Sequence, residues 1–431
     1  MYASFLRRAR AGLATVFLGR QSASVEERNY RNLLFTGAWF GPVDGGIYNF
    51  LPVFLARLGA SPALVSLLIS GPALVGIFAY IPGGAYAERH SDLVRLTVRA
   101  GFIARLAYPL IVLLPLLLNS ADLSIAAVLI WSLSAIPNAV HISAWISAMQ
   151  KALPPKRRGQ LNGTRWALLS LTAGLAIALF GWLLDRTPFP GGYQLVFLAS
   201  WIAGLMNLYY IGKVQVSPFV PDWPAATIRP SVGARIRAFG ASLTESREFV
   251  RYNVANLGYR LVLAMPAGLF SVFWVNELHA TDTWIGLRGT AGYAALVVGY
   301  WFWGQVANRS GHRRLLLICG VAQAFYPCVT ALAPSMQWLL PAAVVWGFSM
   351  SGLDIGLFDM LLAACPEGRQ PRFAGGANML ASVAITVGPL LGAALAQGLG
   401  TRTALFVIAG VQAAGTLFFL LLPGREQEGK A

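Results

Sequence analysis

The stretch Gly304-Gln-Val-Ala-Asn-Arg-Ser-Gly-His-Arg-Arg314 lies between two apolar runs, near residues 284–303 and 315–333. A glycine and a short basic turn thus join two segments that are each long enough to cross a bilayer, since a spanning helix needs roughly 20 mostly apolar residues. The stretch Gly84-Ala-Tyr-Ala-Glu-Arg-His-Ser-Asp92 repeats this arrangement 220 positions earlier, as 304 minus 84 shows. The repetition predicts a duplicated membrane protein.

The composition supports a chain that lies mostly in lipid. Of its 431 residues, 56% are hydrophobic and only 12% are charged, and the mean hydropathy is +0.60. Soluble domains carry about 25% charged residues, so this chain has too few charges to cover a water-facing surface. Open sheets leave unsatisfied edges in lipid, and the alternation typical of a membrane barrel is missing from the sequence.

We therefore predict an all-α polytopic membrane protein with twelve transmembrane helices in two pseudo-symmetric six-helix bundles. The predicted helices lie near residues 30–56, 62–86, 95–118, 123–149, 162–184, 193–212, 250–276, 284–303, 315–333, 338–363, 375–398 and 402–422.

The net charge of +16 follows the positive-inside pattern and does not indicate nucleic-acid binding. Arginine and lysine gather in the N-terminal tail and in alternate loops, while the intervening loops hold little beyond Arg57, Arg186 and Arg402. This alternation places both termini in the cytoplasm and the protein in the inner membrane.

The distribution of charged and apolar residues divides the chain into five predicted parts. Ser24 and Glu27 form a capping box that begins the first spanning helix. The parts are an interfacial segment at 1–28, an N-terminal bundle at 29–212, a cytoplasmic linker with an amphipathic helix at 213–248, a C-terminal bundle at 249–423 and a cytoplasmic tail at 424–431.

The two basic turns resemble the signature of the major facilitator superfamily, which reads Gly-x-x-x-Asp-Arg-x-Gly-Arg-Lys/Arg between its helices 2 and 3. Gly304, Arg309, Gly311 and Arg313 fit that pattern, with Asn308 in place of the acid. The first copy keeps Gly84 and Arg89 and has Glu88 for the aspartate. The resemblance covers nearly the whole chain and implies this family's fold and a transport function.

The resemblance also implies that these turns are gating latches. An acid and arginines at a helix turn can hold one arrangement and release another, and the glycine allows close helix approach. The alternative is that the arginines only set the topology. The latch candidates are Gly84, Glu88, Arg89, Gly304, Arg309 and Arg313.

Ionisable residues inside predicted helices are the candidate coupling sites, because a charge at mid-bilayer costs about 2.5–3.5 kcal/mol on insertion scales. Asp44 lies in Gly41-Pro-Val-Asp-Gly-Gly46, where glycine and proline loosen the helix. We expect it to bind a proton or cation, although a structural ion pair is the alternative. His141 and Asp354 are further proton candidates, and Arg105 and Arg260 are candidate counter-charges.

By the resemblance, helices 1, 4, 7 and 10 line the central cavity. A pocket rich in aromatic rings with few charges suits an amphipathic or apolar organic solute, although aromatic residues at helix ends are also ordinary interface anchors. The remaining cavity candidates are Trp39, Tyr48, Asn138, Trp145, Tyr259 and Trp346.

The sequence contains no Walker loop, nucleophile elbow or metal-ligand spacing, so we expect neither an enzyme nor a bound cofactor or metal. Our interpretation is a monomeric, proton-coupled secondary transporter of a small organic solute, with export favoured. The alternatives are a membrane scaffold or assembly factor with the same fold, which the degenerate signature favours, and a lipid or lysolipid flippase.

Overall fold

The computed structural model describes residues 24–87, 89–216, 246–365 and 370–423, and in this part of the chain all regular structure is helical. It forms twelve helical stretches, α1 to α12. They are α1 (Val25–Val43, the π-helical turn Asp44–Tyr48, and Asn49–Arg57), α2 (Pro62–Ala87), α3 (Leu93–Arg105 and Ala107–Leu113), α4 (Ser120–Leu133 and Ala135–Ala152), α5 (Pro155–Leu184), α6 (Gly191–Gly212), α7 (Arg247–Ala264 and Ala267–Asn276), α8 (Asp282–Ser310), α9 (His312–Leu332), α10 (Leu339–Ala364), α11 (Gln370–Leu399) and α12 (Thr401–Gly415 with the 3₁₀ turn Thr416–Leu421).

Each helix placed from the sequence coincides with one of these stretches. Ten of the stretches are long and apolar enough to cross a membrane. The other two are α1, which carries polar side chains and the π-helical turn, and α8, which carries Arg288 among glycines, tyrosines and tryptophans. Both pack against helices that do qualify.

The helices pack as two bundles, which we call the N half (24–216) and the C half (246–423). In the N half α1 contacts α5 and α6, and α4 contacts α2 and α3. In the C half α10 contacts α8 and α9, and α7 contacts α11. The halves meet where α5 packs on α8, where α2 packs on α11 and where the ends of α1 and α2 touch α7.

Because successive helices alternate in direction, the molecule has two faces. The terminal face carries the start of α1 and the end of α12. The distal face carries the α1–α2, α5–α6 and α7–α8 connections. The start of α1 is capped as predicted, since the Ser24 hydroxyl accepts a hydrogen bond from the Glu27 N–H at 3.2 Å.

The basic turn between α8 and α9 depends on one glycine. Gly311 has φ of 79°, a left-handed conformation that glycine adopts without steric cost, and its N–H donates to the Ala307 carbonyl at the end of α8. This allows α9 to begin at once with His312. Most of the predicted interfacial segment and linker, the side chain of Glu88 and the C-terminal tail lie outside the described residues.

Candidate functional site

Asp44 lies in the π-helical turn near the middle of α1. Such turns insert one extra residue and are frequent at functional sites. The neighbouring Gly45 packs directly on α5, where a Cβ would lie 2.6 Å from the Ala173 carbonyl oxygen. The sequence predicted a loosened helix here, and the structure has a continuous helix that accommodates the loosening as a π turn.

The Asp44 carboxylate is bonded across the boundary between the halves. It accepts a hydrogen bond from the Tyr293 hydroxyl on α8. Within the described residues no arginine forms an ion pair with Asp44, while the predicted counter-charge Arg260 acts on Asp354 through space. Arg105 donates to the Asn207 side chain at 2.8 Å, and Arg260 donates to Asn256 at 2.9 Å.

The second intramembrane acid, Asp354 on α10, also pairs with a tyrosine of α8. It accepts from the Tyr300 hydroxyl at 2.8 Å. Tyr293 and Tyr300 are seven residues apart, which places them on one side of the helix two turns from each other. Helix α8 therefore contacts one carboxylate from each half of the molecule.

A buried ion pair joins the halves at the distal face. Arg57 at the end of α1 contacts the Asp282 carboxylate at 2.9 Å and also donates to the Ala280 carbonyl at 2.9 Å. The same Asp282 oxygen accepts from the Tyr193 hydroxyl of α6 at 2.7 Å. We call Arg57, Tyr193 and Asp282 the distal lock.

Asp185 at the end of α5 adds a second connection between the halves. Its carboxylate accepts from the backbone N–H groups of Asp282 at 2.8 Å and Thr283 at 2.9 Å, and so caps the start of α8. Burial works against ionisation of Asp185, but these hydrogen bonds outweigh it and hold the pKa of this carboxyl below its ordinary value. The lock and the cap border a cavity of about 450 Å³.

Tight packing of α5 on α8 closes the same face. A Cβ on Gly286 would lie 2.7 Å from the Ile177 carbonyl oxygen, so only glycine fits there. The Thr290 hydroxyl donates to the Gly174 carbonyl at 2.6 Å one turn further along. The two halves are thus in close backbone contact next to the distal lock.

The predicted latch lies on the terminal face, and only part of it falls within the described residues. Arg89 is exposed and Arg313 is half-buried, and neither is in an ion pair within the described residues. A Cβ on Gly304 would meet open space and one on Gly84 would have only ordinary contact, so the predicted close helix approach at these glycines is wrong for this conformation. Of Arg309 only the backbone is described.

The other predicted cavity residues differ in their surroundings. The His141 Nδ1 lies 2.9 Å from the Thr97 carbonyl, so this nitrogen carries a proton and donates it. Tyr259 is fully buried, packs on Phe419 and donates to the Gly320 carbonyl, so its assignment to the cavity was wrong. Tyr48 is 43% exposed, while Trp39, Asn138, Trp145 and Trp346 are half-buried.

The residues of these networks that were not expected from the sequence include Arg57, Asp185, Tyr193, Asp282, Tyr293 and Tyr300. The charged residues among them lie at helix ends, where a charge needs no special reason. Two further arginines, Arg165 and Arg288, lie near the predicted starts of their helices and were therefore interpreted as interfacial charges.

Comparison with known proteins agrees with this architecture. The family model described as Major Facilitator Superfamily matches residues 252–431. The uncharacterized MFS-type transporter YuxJ of Bacillus subtilis (strain 168) is 26% identical over 171 residues, which are 38% of this chain and 43% of that protein. Over residues 252–431 the chain is thus similar to the major facilitator superfamily.

A second relative and two solved structures extend the comparison. The staphyloferrin B transporter of Staphylococcus aureus (strain NCTC 8325 / PS 47) is 24% identical over 136 residues, 32% of each chain. A POT family transporter in complex with 5-aminolevulinic acid has a TM-score of 0.71 at 12% identity, covering 91% of this chain and 95% of that one. A bacterial homologue of ferroportin in an inward-facing state has a TM-score of 0.67 at 16% identity, covering 92% and 98%.

The solved structures and the curated relatives match different lengths of the chain. The two solved structures show the superfamily fold over nearly the entire length of the chain. The alignments with the two curated relatives span less than half of each relative's length. Within the described residues, no group of three or more histidine, cysteine or acidic side chains is placed to hold a metal ion.

Proposed function

We propose that the protein is a secondary active transporter that works by alternating access between its two halves. The observation that carries this proposal is the asymmetry of the contacts between the halves. The distal lock, the Asp185 cap and the α5–α8 packing hold the distal face closed, while Arg89 and Arg313 on the terminal face form no ion pair with another described residue. A molecule whose described polar contacts between the halves lie toward one face fits one end state of such a cycle.

The charges support an orientation with the terminal face in the cytoplasm. Arginine and lysine at this face include Arg28, Arg31, Arg89, Arg95, Lys151, Arg157, Lys213, Arg251, Arg313 and Arg314. The distal face has Arg57, Arg186 and Arg402 together with the acids Asp122, Asp185, Glu277 and Asp282. By the positive-inside rule the protein lies in the inner membrane with cytoplasmic termini, and the described conformation is inward-facing.

Proton coupling through Asp44 follows from the chemistry of its bond to Tyr293. A hydrogen bond to an ionised carboxylate stabilises by about 1.5–3 kcal/mol, against about 0.5–1.5 kcal/mol for a neutral pair. Ionised Asp44 therefore favours closure of the distal face, and protonation weakens the bond that joins α1 to α8. The titratable groups near Asp44 are Tyr293 and Tyr48, and no arginine pairs with it.

This arrangement suits exchange of a solute for protons. The empty, deprotonated transporter is held inward-facing until a solute or a proton disturbs the Asp44–Tyr293 bond. We propose export of a small organic solute by the monomer, since one chain supplies both halves of the pathway. A scaffold with the same fold does not require a buried carboxylate bonded between its two halves, so the Asp44–Tyr293 bond disfavours the scaffold alternative.

The test is solute exchange in proteoliposomes that contain the purified protein and a trapped extract of small metabolites. A pH gradient, acidic on the outside, is imposed, and the solutes left inside are measured by mass spectrometry. We expect loss of particular solutes from vesicles with the protein and not from empty vesicles, and little proton-driven loss with Asp44→Asn. If no solute leaves the vesicles through the native protein under any gradient, the transport proposal is wrong.

A further inference from the structure

The arginines inside the membrane have no carboxylate partner in the described residues. Arg105 and Arg260 donate to asparagines, and Arg288 donates to the Tyr326 hydroxyl at 2.7 Å. Arg165 lies over the rings of Trp145 and Trp166. Both intramembrane aspartates pair with tyrosines instead. Arg260 attracts Asp354 through space, but within the described residues none of these four arginines forms a direct ion pair with a carboxylate.

Arg165 on α5 is the clearest of these unmatched cations. Its Nε is buried and has no hydrogen-bond acceptor, and its Cγ is packed where a Cβ on Gly37 of α1 would lie. Moving a guanidinium from water into a membrane is unfavourable, and cation–π contact with two aromatic rings offsets only part of this free energy. No acidic side chain among the described residues pairs with this guanidinium, so its positive charge is available to an anion from outside the chain.

Arg260 on α7 is the counterpart in the C half. Its Nε donates to Asn256 one turn earlier, which leaves the remaining N–H donors of a group that has five. Arg165 follows the start of α5 by ten residues and Arg260 follows the start of α7 by thirteen. At 1.5 Å per residue they lie about 15 Å and about 20 Å from the terminal face, so each half carries one arginine at a similar depth.

We propose that the transported solute is an organic anion, whose carboxylate or phosphate oxygens are bound by Arg165 from the N half and Arg260 from the C half. Guanidinium groups bind such oxygens through paired N–H donors. An anion bound by both arginines stabilises a state in which the two halves close around it. Trp145 and Trp166 provide an apolar surface for its carbon skeleton. This inference rests on the proposed transport function and replaces the apolar solute expected from the sequence.

The vesicle experiment tests this inference through the charge of the solutes that leave. We expect the solutes lost through the native protein to be carboxylates or phosphates, and neutral or cationic solutes to be retained. Loss of neutral or cationic solutes alone overturns the anion assignment while leaving the transport proposal intact. Failure of the anion assignment can therefore be distinguished from failure of the transport proposal.

Variants then test the two arginines. Arg165→Gln and Arg260→Gln should each reduce the exchange rate of the identified anion at least tenfold, and Arg165→Lys should restore part of it. The matched control is Arg186→Gln, because Arg186 stacks on Trp182 at the distal face in the same way that Arg165 stacks on its tryptophans. Thermal unfolding of each purified variant verifies that it folds. Native exchange rates in folded Arg165→Gln and Arg260→Gln overturn the proposed site.

Discussion

The Tyr293 hydroxyl of α8 donates to the Asp44 carboxylate of α1, and this bond links the C half to an ionisable group of the N half inside the membrane. Seven residues along α8, Tyr300 makes the corresponding bond to Asp354 of its own half. Only the first of these bonds must break when the halves separate at the distal face. The two tyrosines therefore form a matched pair for experiment.

Tyr293→Phe removes the bond between the halves and leaves the Asp44 carboxylate in place. We expect the equilibrium to shift toward the distal-open state by about tenfold to hundredfold, since a hydrogen bond to a charged group stabilises by about 1.5–3 kcal/mol. The reaction rate of a cysteine introduced at Asn49, which lies beside Gly289 of α8, with a membrane-impermeant thiol reagent added to the distal face measures this shift. Tyr300→Phe is the control and should leave that rate within a factor of about two; equal effects of both variants would contradict the account.

Loss of either charge of the distal lock should destabilise the distal-closed state. Removing one partner of a fully buried pair costs about 3–5 kcal/mol and of an exposed pair about 0–1 kcal/mol. Arg57 is 26% and Asp282 7% exposed, so we expect an intermediate destabilisation of the distal-closed state in Asp282→Asn. Arg402→Gln is the matched control, because its pair with Glu277 lies within the C half and is 49% and 33% exposed. A shift of the same size with Arg402→Gln would show that the lock has no special role.

Gly286→Ala tests closure of the distal face without changing any charge. The added methyl group would lie 2.7 Å from the Ile177 carbonyl, so α5 and α8 must separate. We expect faster distal labelling and slower exchange. Gly410→Ala adds the same methyl group to an exposed position of α12 in open space and should change neither. Normal exchange by Gly286→Ala would mean that this packing is not needed for the cycle.

Asp185 should stabilise the distal-closed state at all ordinary pH values. Its pKa is lowered in the folded protein, so the stabilisation is present above the ordinary value of 3.8 and is lost as the pH falls through the lowered pKa. Loss of a helix cap costs about 0.5–2 kcal/mol, which is the decrease that we expect for Asp185→Ala in thermal unfolding between pH 5 and about pH 8. An Asp185→Ala protein whose stability differs from native mainly at pH values below 3.8 would refute this sign.

The sequence predicts much of the fold and less of the site. Apolar runs, alternating loop charges and the repeated turn at Gly84 and Gly304 were enough to predict an all-helical membrane fold, because lipid restricts a spanning chain to helices, and ten described helices are long and apolar enough to span. The proposal of Asp44 as a coupling residue also follows from the cost of burying a charge. Its partner did not, because pairing depends on how α1 packs against α8 across the two halves.

The wrong predictions share one cause. Direct ion pairs of Arg105 and Arg260 with the acids were expected, but the hydrogen bonds to Asp44 and Asp354 come from Tyr293 and Tyr300, and Arg260 acts on Asp354 only through space. A tyrosine in an apolar helix gives no sign in the sequence of which carboxylate it meets. Tyr259 was assigned to the cavity for its helix alone, although its side of α7 faces Phe419 in the core.

The most direct test is a pair of distances measured by pulsed electron paramagnetic resonance in proteoliposomes. Spin labels at Ser120 and Gln337 report the distal face, and labels at Arg95 and Arg314 report the terminal face, with Cys319, Cys328 and Cys365 replaced. We predict that acidification lengthens the distal distance and shortens the terminal one, and that Asp44→Asn produces the acidic distributions at neutral pH. Distances that stay the same at both faces in native protein and in Asp44→Asn, whatever the pH, would contradict the account.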